Sequence, residues 1–278
     1  MAILEEYVMI PKIIHYMWFS GEEKTPLAKR CIESWRRFCP DWEIVEWDLA
    51  KCAAEGIDNR FFREALAVRK WAFAADYVRL YAVWKYGGFY MDSDIQLHRP
   101  IDEFREHGYV SCWERVGKKV DGPLMPFFGA EPCNEFVSAM LHEYDDIPFV
   151  RDGEFDQTTN IIRAGRHLAR LYGITPPFDD TKGVHFGGNG VLFPSHFFCN
   201  PDHLHDAYAT HLLAGGWVDA YARRRYWAIG PFRLLRFKRI FQDAGPIELH
   251  EGERMLFCIK WGKKRFISLV HGGKERSA

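Results

Sequence analysis

Hydrophobic positions along this chain change their period several times, and each change marks an element. Residues 10–19, Ile-Pro-Lys-Ile-Ile-His-Tyr-Met-Trp-Phe, are β-branched and aromatic and stop at Ser20-Gly21. That predicts a strand running into a loop. Residues 26–38 predict a helix stopped by Pro40, and residues 42–47 a second strand ending at Asp48. Strand, helix and strand in this order open an α/β sheet. Residues 61–86 carry a long helical pattern with a break near 68–71; in its second half Ala72, Ala75, Val78, Tyr81, Ala82 and Trp84 recur at three- and four-residue spacings. Gly87-Gly88 ends that helix, because glycine accepts the left-handed terminal conformation cheaply. Residues 89–97 then read as a strand closed by Pro100. Further along, residues 109–113 predict a strand, 134–144 and 157–172 helices, and Gly187, Gly188 and Gly190 a loop. Residues 222–241 are basic and read as partly helical, interrupted at Gly230-Pro231, and 255–270 as a terminal hairpin about Gly262.

Composition narrows the class. At 278 residues, 47% hydrophobic and 27% charged, the chain has a globular make-up, which excludes a disordered, collagen-like or coiled-coil protein. Its net charge of −1 argues against a nucleic-acid partner held by bulk charge. The charge is unevenly spread: residues 219–278 hold 14 Lys and Arg against 6 Asp and Glu, a balance of +8, and the rest carries −9. The expected organisation is therefore a single α/β domain over residues 1–218 and a basic C-terminal extension over 219–278. The seven cysteines include no Cys-x-x-Cys spacing, so neither a disulfide framework nor a zinc cluster is indicated and a reducing compartment is expected. No signal pattern or long apolar run is present, so the expected location is the cytoplasm.

The sharpest chemical feature is Gly87-Gly88-Phe89-Tyr90-Met91-Asp92-Ser93-Asp94. Read as a strand, it points Asp92 and Asp94 to one face with Tyr90 in line behind them. Two carboxylates side by side repel unless a cation neutralises them. Hard oxygen ligands select Mg²⁺ or Mn²⁺, which leave positions open for phosphate oxygens. Asp76 and Arg79 lie three apart on the preceding helix, which ends where the carboxylates begin. That spacing fits a surface ion pair, or an Arg fork presented to a phosphate or sugar hydroxyl. Trp18 stands at the end of the first strand, where ligands collect in α/β sheets; a core Trp fits there equally.

Residues 10–19, 42–48 and above all 72–94 resemble glycosyltransferase family 32, through Ala-Phe-Ala-Ala-Asp76-Tyr-Val-Arg79-Leu-Tyr followed by Gly-Gly-Phe-Tyr90-Met-Asp92-Ser-Asp94. More distantly, the stretch is similar to the glucosylating domain of large clostridial toxins. The resemblance implies a GT-A fold, a nucleotide-sugar donor, Mn²⁺ or Mg²⁺, and retention of anomeric configuration. A UDP-sugar is the expected donor ahead of GDP-mannose. By position, Asp92 and Asp94 would hold metal and diphosphate, and Tyr90 would line the donor pocket. Asp76 and Arg79 would bind sugar or ribose hydroxyls, Trp18 would stack on the base, and Asp48 would lie at the pocket edge. The stretch His211-Leu-Leu-Ala-Gly-Gly216-Trp217 resembles the family's His-x-x-x-x-Ser-Trp segment, with Gly216 in place of Ser. It implies that His211 is a third metal ligand or a phosphate contact and that Trp217 closes over the diphosphate.

The implied activity is sugar transfer to a glycan or lipid-linked acceptor in surface-polysaccharide synthesis. Glycosylation of a protein by a delivered effector, and a non-catalytic nucleotide-sugar or glycan-binding module, are the rival readings. The basic segment from Arg223 to Arg239 mixes cationic and aromatic residues. It suits either peripheral contact with an anionic membrane or packing on the acidic body. The chain has no Gly-x-Ser-x-Gly elbow, no His-Glu-x-x-His and no dedicated base recognisable from sequence.

Overall fold

The structure, a computed structural model, describes residues 9–116, 119–200, 207–212, 224–229, 232–237, 254–261 and 265–271. The chain forms two compact units, Met1–His211 and Leu212–Ala278.

The first unit opens as the periodicity predicts. Strand β1 (Ile13–Met17), helix α1 (Pro26–Phe38) and strand β2 (Glu43–Trp47) make a parallel βαβ unit, with Ile13 beside Glu43 and Met17 beside Trp47. Thr25 caps α1 by accepting from the Ala28 amide, and Pro26 occupies a first-turn site where a missing N–H costs nothing. Two short helices follow, α2 (Leu49–Ala54) and α3 (Arg60–Ala67), capped by Asp48 and Asn59. Helix α4 (Trp71–Tyr86) is apolar nearly all round and is correspondingly buried.

The remaining strands of the main sheet are β3 (Gly88–Met91), β5 (Tyr109–Val116), β7 (Phe127–Ala130), β10 (Val184–Phe186) and β11 (Gly190–Phe193). Their order is β10-β11-β5-β7-β3-β1-β2, and β6 (Lys119–Pro123) pairs with β5. The short strand β4 (Ile95–Leu97) lies outside this sheet and pairs with β12 (Ala209–His211). Helices α5 (Glu135–Glu143) and α6 (Asn160–Tyr172) flank a small hairpin of β8 (Val150–Arg151) and β9 (Glu154–Phe155) in sequence. Side chains alternate along β1. Tyr16 meets Trp35 of α1, whereas His15, on the other face, meets Tyr86 at the end of α4. The two helices therefore cover opposite faces, and the expected mixed α/β sheet flanked by helices is what forms.

Two expectations are corrected. Residues 89–97 are not one strand: β3 ends at Met91 and β4 starts at Ile95, and Asp92-Ser93-Asp94 form the turn between them, closed by the Ile95 amide on the Asp92 carbonyl (2.9 Å). Asp and Ser favour turns because their side chains compete with the ladder for backbone hydrogen bonds. The described part of residues 222–241, namely 224–229 and 232–237, is strand and not helix, and the rest of that stretch lies outside the described residues. The described residues of the second unit form a four-stranded antiparallel sheet, β13 (Arg224–Ile229), β14 (Phe232–Phe237), β16 (Arg265–His271) and β15 (Arg254–Trp261) in spatial order. Tyr, Trp, Ile and Phe favour a pleated surface, and the apolar positions of this stretch never shared one helical face. The terminal hairpin expected over residues 255–270 is present as β15 and β16.

Candidate active site

The site lies where β3 leaves the sheet. Helix α4 ends at Gly87 (φ 64°), and Gly88 (φ 98°) starts β3 against β1. A Cβ on Gly88 would stand 2.7 Å from the Ile13 carbonyl oxygen, so the close approach of the strands requires glycine. Four residues later the chain turns, and that turn carries Asp92 and Asp94.

Helix α4 delivers Asp76 and Arg79 to the same place. Arg79 Nη2 is 3.0 Å from Asp76 Oδ1 and 3.6 Å from Asp92 Oδ1, and the guanidinium lies over the Tyr90 ring, 4.6 Å from its centroid. Asp76 and Arg79 are buried, so the surface ion pair that their spacing allowed is an interior one. The Tyr90 hydroxyl donates to Asp92 Oδ1. His211 comes from β12, whose register sets it beside Ile95, and its Nε2 lies 3.5 Å from Asp94 Oδ1. One ligand atom each from Asp92, Asp94 and His211 falls within 4.8 Å of the others.

The electrostatics follow from burial. Burial pushes Asp76 up to about 6, with Arg79 opposing. It raises Asp92 too, against the pull of Arg79 and with repulsion from Asp94. His211 is opposed by burial, yet Asp94 carries it well above the usual imidazole range. Arg79 likewise stays firmly charged despite burial, held by Tyr90, Asp92 and Asp76. Carboxylates raised beside one another are what a cation would relieve.

Behind Asp76 stands a polar support. Asn160 Nδ2 donates to the Asp76 carbonyl (3.0 Å), and the Tyr144 hydroxyl donates to Asn160 Oδ1. Arg163 bridges Glu143 and Asp156, and His167 Nε2 meets Glu143 Oε2 at 2.7 Å. Asn160 is the first residue of α6.

Of the other residues singled out, Trp18 is half-buried just past β1, with its indole N–H donating to the Glu22 carbonyl (2.7 Å). Asp48 accepts from the Lys51 amide (2.7 Å) as the cap of α2. Trp217 lies outside the described residues. Sequence reasoning missed Glu114, a buried acid on β5 that burial pushes up to about 7 and on which His211, Asp92 and Asp94 all act. Its one signal was an acid following the apolar run Val110-Ser-Cys-Trp113, just past the predicted strand end.

Residues 26–111 match the family described as "Glycosyltransferase sugar-binding region containing DXD motif". The Asp-x-Asp of that stretch is Asp92-Ser93-Asp94. Residues 26–111 are thus similar to a glycosyltransferase sugar-binding region. The chain is 24% identical over 211 residues to O-glycosyltransferase braB of Annulohypoxylon truncatum, covering 65% of this chain and 47% of that protein. It is 26% identical over 149 residues to inositol phosphoceramide mannosyltransferase 1 of Schizosaccharomyces pombe, covering 49% and 43%. The chain thus spans less than half the length of these curated relatives. Among solved structures it is similar to the PaToxG glycosyltransferase, with a TM-score of 0.43, 14% identity, and 59% of this chain and 71% of that chain covered. Among the described residues no helix is long and apolar enough to cross a membrane.

Proposed function

We propose that this glycosyltransferase moves a hexose or N-acetylhexosamine from a UDP-sugar to a glycan or lipid-linked acceptor in surface-polysaccharide synthesis, with retention and with Mn²⁺ or Mg²⁺. The observation that carries the reading is the convergence of Asp92, Asp94 and His211 within 4.8 Å, beside the buried Arg79. Two carboxylate oxygens and one imidazole fit a hard dication, and the imidazole favours Mn²⁺. When bound, the ion supplies neutralisation of the donor diphosphate.

The chain's own residues do the rest. Arg79 is a fixed fork, stacked on Tyr90, anchored to Asp76 and donating from Nε and Nη1 to the Ala75 and Met125 carbonyls (both 3.3 Å), and its positive charge, facing Asp92, favours phosphate oxygens at the site. Asp76 takes sugar hydroxyls and is held in place through Asn160. Trp18 offers a half-exposed face to the base. The acceptor hydroxyl attacks the anomeric carbon as the bond to diphosphate breaks, and its proton leaves on the departing phosphate oxygen. The proposed location is the cytoplasm, with the basic segment 219–278 contacting the anionic inner face of the membrane peripherally.

A second reading takes mannose and a phosphorylated lipid. It is favoured by the name of the Schizosaccharomyces pombe relative. One experiment separates the two. Purified protein is given UDP-glucose, UDP-galactose, their N-acetyl forms or GDP-mannose with Mn²⁺, and nucleotide release is followed with and without chelator. Chelator-sensitive release from a UDP-sugar supports the first reading, and from GDP-mannose alone the second. Nucleotide binding without turnover, with every donor and with glycan and lipid acceptors added, would leave only a binding module.

A further inference from the structure

One buried group near the site has no part in the scheme above. Glu114 is 7% exposed, and its Oε2 finds no hydrogen-bond partner among the described residues. A buried carboxylate oxygen left unpaired is costly and calls for an explanation. The charges acting on Glu114 identify its surroundings: His211, Asp121, Asp92 and Asp94. Chain geometry brings it beside the site as well: the carbonyl of Arg115, the next residue on β5, accepts from Asn200 Nδ2, and the carbonyl of Cys199, next to Asn200, accepts from the His211 amide at 3.0 Å.

Asp92 and Asp94 lie beside Arg79 and His211 respectively, and the charges of Asp92, Asp94 and His211 all act on Glu114. Glu114 is not among the residues whose ligand atoms converge within 4.8 Å, which are Asp92, Asp94 and His211. Its burial leaves less room for an acceptor sugar than the more open Asp92, whose side chain is 29% exposed. Small dications of this class keep several of their waters, and such waters need acceptors.

We propose that Glu114 is the outer-sphere carboxylate of this cation site, its Oε2 accepting a hydrogen bond from a water on the ion held by Asp92, Asp94 and His211. The inference rests on the metal reading of the site. It accounts for a buried acid on β5 whose Oε2 has no protein partner among the described residues: the ion compensates it.

The test is Mn²⁺ binding by the full chain with no donor present, read as free Mn²⁺ by electron paramagnetic resonance, with thermal melting of the metal-free protein alongside. Glu114→Gln keeps the shape and removes the charge. The expected result is affinity about 10-fold or more weaker, the usual effect of losing such a partner. Metal-free melting should be unchanged or higher, because an unpaired buried charge has gone. Asp94→Asn should lose Mn²⁺ outright. Equal affinity for Glu114→Gln and the unsubstituted chain would overturn the inference and leave the metal site standing. A loss of affinity matched by a lower metal-free melting temperature would mark Glu114 as structural and overturn it too. No Mn²⁺ uptake by the unsubstituted chain would sink the metal reading itself, and the inference with it.

Discussion

Arg79 Nη2 lies 3.0 Å from Asp76 Oδ1 inside the protein, both residues being more than nine-tenths buried. Such a pair holds position more than it adds stability, because desolvation offsets most of the attraction. Removing one partner is a different matter. Arg79→Ala leaves Asp76 and Asp92 with less compensation and is expected to destabilise the chain by about 3–5 kcal/mol. Arg79→Lys should fold better yet turn over donor far more slowly, since an ammonium cannot lie as a fork over Tyr90 while reaching Asp76. Urea unfolding and donor turnover of the two variants check this. A Lys variant with unchanged turnover would remove Arg79 from the donor site.

Asp92→Asn and Asp94→Asn should each abolish chelator-sensitive nucleotide release. In the metal-free protein Asp92→Asn should be at least as stable as the parent, because repulsion between the two carboxylates is relieved, whereas Asp94→Asn also takes the ion-pair partner from buried His211 and should melt lower than Asp92→Asn. The readouts are release with Mn²⁺ and melting in chelator. Full activity in either folded variant would refute the cation site.

How far the sequence carried the site can be judged residue by residue. The carboxylate pair and the Asp76–Arg79 spacing were legible, because each is a local pattern. The element holding the pair was misread: a three-residue turn between short strands alternates much as a strand does. The depth of Asp76 and Arg79 was in principle legible, since α4 is apolar almost all round, but a charged i,i+3 pair reads first as surface. His211 became visible only through a motif, and its place beside Asp94 depends on pairing between β4 and β12, more than a hundred residues apart. Glu114 needs that pairing and β5 together, and no local pattern announces it. The basic tail was misread because cationic residues at mixed spacings mimic a helix, whereas its aromatic residues prefer a sheet.

His15 gives a pH prediction away from the site. It is 1% exposed, its Nδ1 accepts from Trp47 Nε1 (3.1 Å), and its Nε2 faces the Gly87 carbonyl at 2.9 Å. The tautomer is thereby fixed: Nε2 carries the proton, and a second proton on Nδ1 would break the Trp47 bond. Burial lowers its pKa from 6.5 to about 4. Between those values the unfolded chain binds more protons than the folded one, so stability is complete above pH 6.5 and declines as pH falls toward 4. The full effect is roughly 3 kcal/mol. Urea midpoints from pH 7 to 4 should show that slope, and His15→Gln should flatten it. An equal slope in the variant would assign the acid sensitivity elsewhere.

Tyr144 acts on the site at one remove. Its hydroxyl holds Asn160, which holds the backbone of Asp76. Tyr144→Phe keeps the ring packing against Phe61 and leaves Asn160 Oδ1 short of a donor. The expected cost is about 1–3 kcal/mol of stability. Donor turnover should fall by a smaller factor than in Arg79→Lys, because Asp76 loses support and not its partner. A Tyr144→Phe protein as stable as the parent would show that the chain Tyr144–Asn160–Asp76 carries no load.

Gly88 ties fold to chemistry most tightly. Its φ of 98° is a conformation that L side chains rarely adopt, and a Cβ there would meet the Ile13 carbonyl oxygen at 2.7 Å, backbone that belongs to β1 and cannot swing aside. Gly88→Ala must therefore either strain its own backbone or push β3 from β1. Either response should cost more than the 1 kcal/mol or so of an ordinary Gly-to-Ala change, on the order of 2–4 kcal/mol. The displacement would not stay local. Asp92 follows β3 by one residue and its amide is tied to the Pro126 carbonyl at 2.8 Å, so a shift of β3 carries the carboxylate away from Asp94 and His211. Gly88→Ala should thus lower Mn²⁺ affinity as well as stability, although it touches no ligand. Gly153→Ala is the control: it too has a positive φ, of 84°, but nothing lies within 4 Å of a Cβ there. It should cost only its backbone strain and leave Mn²⁺ binding intact. Equal Mn²⁺ affinity in both variants would mean that the Asp92 turn is set independently of the strand before it.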